Sequence, residues 1–138
     1  MTRIKGQLTT ADYLSMDAFR KLIDALEEDR KYLWATYCWL SFCTAFRASD
    51  VRSLRWKDVL NRSQLVKIEQ KTGKSRRVKF NRCVREKIRN LYELQGCPDM
   101  NRLIFMNPKT GNPYSLEHIN RLLKVWRVKY RIPVQAFS

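Results

Sequence analysis

Apolar residues recur at helical spacing in several stretches of the chain, and two short stretches alternate instead. Phe19, Leu22, Ile23 and Leu26 stand at i, i+3, i+4 and i+7, which predicts an amphipathic helix capped by Ser15 and closed by the acidic run Glu27-Glu28-Asp29. From Lys31 to Ala45 nearly every position is apolar or aromatic, so a helix there is expected at the centre of the fold, surrounded by others. Ser49 can cap a short helix through Leu54, with Trp56 and Val59 adding apolar surface before the turn at Asn61-Arg62-Ser63. Residues 65–70 and 75–80 alternate around Gly73, a β-hairpin pattern. Val66 and Ile68 fall on one face there, opposite Lys67 and Glu69, while Val78 and Phe80 oppose Arg77 and Lys79.

Val84, Ile88, Leu91 and Tyr92 mark the next helix, which Gly96-Cys97-Pro98 ends. Leu103-Ile104-Phe105 reads as a short third strand. Ser115 caps a last helix carrying Ile119, Leu122, Leu123 and Trp126 on one face. The fold class expected is mainly α with a small antiparallel β-sheet (α+β). Residues 1–14 form an N-terminal arm or linker, and residues 15–138 form one domain.

Charge changes this picture more than composition does. The net charge is +15, and its distribution is uneven. Residues 1–46 are neutral overall, residues 47–89 hold fifteen basic and four acidic residues, and residues 90–138 hold seven and three. A basic excess over a helix, a hairpin and a second helix points to a polyanion-binding surface. The four cysteines lack metal-ligand spacing and the chain has one histidine, so no metal site is expected. No signal peptide is evident, and the longest uncharged run is shorter than the ~20 apolar residues of a membrane span. The expectation is a cytoplasmic protein with reduced thiols and no membrane partner.

Arg47 follows Phe46 at the end of the apolar helix and precedes the short one. A guanidinium there pairs with Asp50, or is oriented by Asp50 to grip a phosphate bidentately; charge logic leaves the two readings balanced. Lys71 and Lys74 flank Thr72-Gly73 in the hairpin turn, and Arg76 and Arg77 follow at once. A ribbon with such a tip can clamp a nucleic-acid backbone, and an extended lysine there can act as a general acid. Arg52 and Arg55 add to the same basic region.

The run TAFRASDVRSLRWKDV (44–59) resembles the first box of the tyrosine recombinase, or phage integrase, catalytic domain. VKIEQKTGKSRRVKF (66–80) resembles the family's hairpin with its catalytic lysine, and LIFMNPKTGNPYSLEHINRLLKVW (103–126) the strand, loop and helix that follow. Phe46 stands where leucine is usual, and the details resemble integrases of bacterial mobile elements. The resemblance implies DNA breakage and rejoining through a 3′-phosphotyrosyl intermediate, with double-stranded DNA as partner and neither metal nor other cofactor. By position it implies that Arg47 is the first phosphate-binding arginine, Lys71 the general acid and Asp50 a supporting acid. It implies DNA contacts for Lys74, Arg76, Arg77, Arg52 and Arg55, and self-association on DNA in the complete protein.

His118-Ile-Asn-Arg121 spells the family's second box, but it lies within an amphipathic helix that already matches the preceding element. Tyr130 follows it too closely to serve as a nucleophile on a separate element. The expectation is therefore the N-terminal portion of an integrase-type catalytic domain. By this reading it is a fragment of a longer integrase or the product of a truncated gene, inactive alone. Two further readings remain open: a non-catalytic DNA-binding module or regulator, and a helical domain that binds an acidic protein.

Overall fold

The computed structural model describes residues 16–131. The expected arm, the Ser15 cap and the segment after Arg131 lie outside the described residues. Six helices and a two-stranded antiparallel sheet form in the order α1 (Met16–Glu28), α2 (Tyr32–Thr44), α3 (Ala48–Arg52), α4 (Trp56–Val59), β1 (Gln64–Ile68), β2 (Ser75–Lys79), α5 (Arg82–Leu94) and α6 (Leu116–Lys129). Two compact units result, one spanning residues 31–114 and the other containing α1 and α6.

In the first unit α2 packs on α3 and α5, and α4 packs on β1. The aromatic density of α2 becomes a ring cluster. Phe105 sits edge-on to Trp34 at 4.7 Å and tilted against Tyr37 at 4.6 Å, with Tyr114 5.2 Å from both Trp34 and Phe105. Such contacts bury large apolar area in defined geometry. A polar tie accompanies them, since Gln95 donates to Thr36 Oγ1 at 2.9 Å and joins the end of α5 to α2. The helix is not enclosed on all sides, because Trp39 is only half-buried and Phe42 reaches the surface.

Leu103–Phe105 does not form a third strand. It makes an isolated bridge, Leu103 to Arg55, and Ile104 N donates to Leu54 O at 3.0 Å. Trp56 N and Lys57 N donate to Arg102 O and Met100 O, so this segment satisfies the start of α4 and not a sheet edge. Ser49 is not the cap of α3 either. Arg47 occupies the N-cap position in extended conformation, without a side-chain cap bond, and Ser49 lies inside the helix. Ser115 and Asn81 do cap α6 and α5, accepting from His118 N and Val84 N. Gly96 follows the end of α5 at φ +84°, as its residue type predicts.

The expected hairpin forms, with Leu65 opposite Val78 and Lys67 opposite Arg76. On β1 the buried face is not the one that carries Val66 and Ile68. Leu65 and, just beyond the strand, Glu69 are buried, whereas Val66 and Ile68 are 52% and 64% exposed. The cross-strand partners decide this. Pairing places Leu65 beside Val78, and Phe80 N bonds to Ser63 O, so the face holding Phe80 takes Leu65 with it.

In the second unit α1 buries Phe19, Leu22, Ile23 and Leu26, and α6 buries Ile119, Leu123 and Trp126. Asp29, just after α1, accepts from Lys129 Nζ at 3.3 Å and from the Tyr130 hydroxyl.

The thiols differ sharply in environment. Burial pushes the Cys38 thiol far above its ordinary value and the Cys43 thiol up to about 12, while Cys83 and Cys97 are exposed. Titration of the native protein with a thiol-reactive disulfide reagent is expected to modify Cys83 and Cys97 fast and Cys43 slowly. Cys38 should react only on unfolding; fast reaction of all four would contradict this packing.

A candidate phosphate-binding site at the hairpin turn

The corner that carries Arg47 is built by the end of α2. Thr44 Oγ1 donates to Leu40 O at 2.7 Å and accepts from Phe46 N at 3.1 Å, which folds the chain back on the helix. Ala45 adopts φ +56°, ψ +25°. A residue with a Cβ is held there at a cost of about 1–2 kcal/mol, so the surrounding contacts must enforce the turn. Phe46 then buries, and Arg47 emerges with its side chain 48% exposed.

Glu69 meets this corner from the hairpin. It is 8% exposed, and its carboxylate has three neighbours. Oε1 accepts from Thr72 Oγ1 at 2.7 Å and lies 3.8 Å from Arg47 Nη1; Oε2 accepts from Arg76 Nη1 at 3.1 Å. Arg76 also donates to Thr44 O at 2.9 Å and stacks over the Phe46 ring at 5.1 Å. One buried carboxylate thus joins the helix corner, the Arg47 guanidinium and the hairpin turn.

The turn that displays Lys71 is fixed by its own bonds. Gly73 N donates to Glu69 O and Glu69 N to Lys74 O, both at 2.9 Å, and Lys74 N donates to Thr72 Oγ1 at 3.1 Å. Gly73 has φ +71°, a conformation that disfavours any side chain. Lys71 is exposed at this rigid tip. Asp50 also secures the turn. It is fully buried, and its Oδ1 accepts from Gln70 N at 3.0 Å, the residue before Lys71. The carboxylate beside Arg47 is therefore Glu69, and Asp50 acts on the lysine turn.

Among the other expected DNA-contacting residues, Lys74 and Arg77 are exposed, and Arg77 lies on the outer hairpin face opposite Val66. Arg76 is committed to Glu69, Thr44 and Phe46. Arg55 stands at the N-cap of α4, its N–H on Asp58 at 2.8 Å and its guanidinium on Asn101 O. Arg52 is half-buried, its Nε without a hydrogen-bond partner. Sequence reasoning did not single out the arginines of α5. Arg82, Arg85, Glu86 and Arg89 line a groove of about 400 Å³ with Asn61, and their i, i+3, i+7 spacing was the available signal.

His118 and Arg121 both lie on α6, with Arg121 Nη2 2.6 Å from His118 Nδ1. Burial, and then the neighbouring Asp29, push the Tyr130 phenol upward, away from ready ionisation. Among the described residues no group of three or more His, Cys, Asp and Glu side chains could hold a metal ion, and no helix is long and apolar enough to cross a membrane.

The Glu69 carboxyl is held below its ordinary value of 4.5, by hydrogen bonds from Thr72 and Arg76 and then by the two guanidinium charges. A depressed acid stabilises the fold fully above its unfolded value and loses that contribution as pH falls through the lower folded value. Thermal unfolding followed from about pH 6 down to about pH 3 is expected to show a steeper loss of stability in the wild type than in Glu69→Gln. Parallel curves would show that the carboxylate adds nothing.

The Phage integrase family model matches residues 12–136. The fold is similar to the crystal structure of XerA recombinase, with a TM-score of 0.67 and 23% sequence identity over 97% of this chain. The match takes in 48% of that protein, so the chain spans about half its length. A comparison with curated proteins finds no match. With the family model covering nearly the whole chain, and the Arg47 corner and lysine hairpin held together in the fold such a chain should have, the protein belongs to the phage integrase family of tyrosine recombinases.

Proposed function

We propose that this chain is the DNA-gripping part of a site-specific recombinase active site, with Arg47 and Lys71 on the scissile phosphodiester. The observation that carries this reading is the Arg47–Glu69–Thr72 chain of contacts, which ties the exposed guanidinium to the turn bearing Lys71. A guanidinium that can grip two non-bridging oxygens suits the extra charge of a phosphorane more than that of the resting diester. A lysine on a rigid tip can protonate a departing 5′-oxygen. A tyrosine nucleophile and a second arginine would complete such a site. Asp50 serves as a support for the lysine turn through Gln70 N. Lys74, Arg77 and Arg52 extend the contact to neighbouring phosphates, whereas Arg55, bonded to Asn101 O, serves chiefly the local fold. A bacterial mobile element is the setting that the sequence resemblance favours, and the cytoplasm is where its DNA lies.

Duplex binding by the chain tests this directly. Affinity is expected to fall steeply with salt, and Arg47→Ala and Lys71→Ala should each weaken binding and lower the slope of log K against log[salt], together by about 0.9 for the one phosphate they share. In a longer form carrying the nucleophilic tyrosine, either substitution should slow strand cleavage by ~10²–10⁴-fold. Cleavage left intact by Lys71→Ala would remove that lysine from the mechanism. Failure to bind duplex even at low salt would favour an acidic protein as the partner of the basic surface.

A further inference from the structure

Arg47 and Arg76 share Glu69 on unequal terms. Arg76 donates a hydrogen bond to Oε2 at 3.1 Å, and is fixed further by Thr44 O and the Phe46 ring. Arg47 approaches Oε1 only to 3.8 Å, beyond hydrogen-bonding distance, with its side chain 48% exposed. The contact at Arg47 is thus charge attraction alone, in a half-solvated setting where such attraction is weak. Glu69 does not depend on it, because Thr72 and Arg76 already hold both carboxylate oxygens.

We propose that Glu69 is a positioning residue and a resident counter-anion: it keeps Arg47 poised at the Lys71 turn until a DNA phosphate takes the guanidinium over. The proposal rests on the reading that Arg47 grips a DNA phosphate. The exchange is cheap in structural terms. When Arg47 swings from Oε1 to a phosphate, Glu69 stays bonded to Thr72 and Arg76, and the turn keeps its geometry. Glu69 also sets a threshold, since an incoming anion must outcompete its hold on the guanidinium. Weakly held anions are rejected, while a phosphodiester also engaged by the hairpin lysine displaces it. Arg76, with three contacts, remains in place as the bolt between the hairpin and the end of α2.

Fluorescence anisotropy with a duplex oligonucleotide at fixed salt, on wild type, Glu69→Gln, Arg47→Ala and the double variant, tests the exchange. Glu69→Gln removes the charge and keeps one oxygen to accept from Arg76, while its amide N–H can donate to the Thr72 hydroxyl. It is expected to tighten duplex binding about fivefold, the factor that corresponds to two unit charges roughly 4 Å apart in bulk water. That gain should vanish in the Arg47→Ala background. A folded Glu69→Gln protein, verified by circular dichroism, that binds duplex equally or more weakly overturns the proposal, as does a gain that survives Arg47→Ala. If Arg47→Ala by itself leaves affinity and salt slope unchanged, the underlying reading of Arg47 fails instead.

Should Glu69→Gln not fold, guanidinium ¹⁵N–¹H signals of the wild-type protein decide the matter. Addition of duplex is expected to shift Arg47 and leave Arg76 in place. An unmoved Arg47, or equal movement of both, overturns the proposal.

Discussion

A carboxylate taken almost wholly out of water must be met by donors and cations, and the middle of this protein is arranged around that requirement at Glu69. Thr72, Arg76 and Arg47 supply what the charge needs. In doing so they bring together a helix end, a β-strand and a turn that are distant in sequence. Thr72 and Arg76 hold both carboxylate oxygens by hydrogen bonds and so tie the turn to the strand, while Arg47 adds a looser charge attraction from the helix corner. Apolar packing supplies the bulk of the burial, through Phe105, Trp34 and Tyr37. The carboxylate supplies the register.

Around that centre the remaining devices act on backbone. Thr44 closes the end of α2 and enforces a left-handed Ala45, so Phe46 enters the core and Arg47 leaves it. Asp50 reaches from α3 to accept from Gln70 N and so steadies the start of the turn. Gly73 permits the tight return of the chain. The result is two exposed cationic side chains, Arg47 and Lys71, displayed on one connected set of elements.

The same arrangement separates arginines that look alike in sequence. Arg76 and Arg77 are neighbours on one strand and so point to opposite faces. One is consumed by the interior while the other faces outward. Arg55 is drawn to the Asn101 carbonyl at the start of α4, and Arg85 to the Phe80 carbonyl at the start of α5. A strongly basic segment is therefore partly structural, and its count of charges overstates what is available to a polyanion.

Local features alone determined much of this molecule. Helical spacing located α1, α5 and α6, apolar density located α2, alternation around Gly73 located the hairpin, and Ser115 marked a helix start, because these signals act within a few residues. The long box around Arg47 carried the family. Tertiary structure decided what depends on partners far along the chain. Alternation in β1 shows that two faces exist, but Val66 and Ile68 are the more apolar pair and still lie outward. Pairing with β2 places Leu65 and Glu69 inward. Leu103–Phe105 has the composition of a strand, yet its backbone satisfies Leu54 and α4, which no local pattern reveals. The partner of Arg47 likewise lies twenty-two residues away at Glu69 and not at Asp50 three residues on. Sequence proximity made Asp50 the natural candidate, whereas the direction of each side chain, set by helix and strand geometry, gave the guanidinium to Glu69.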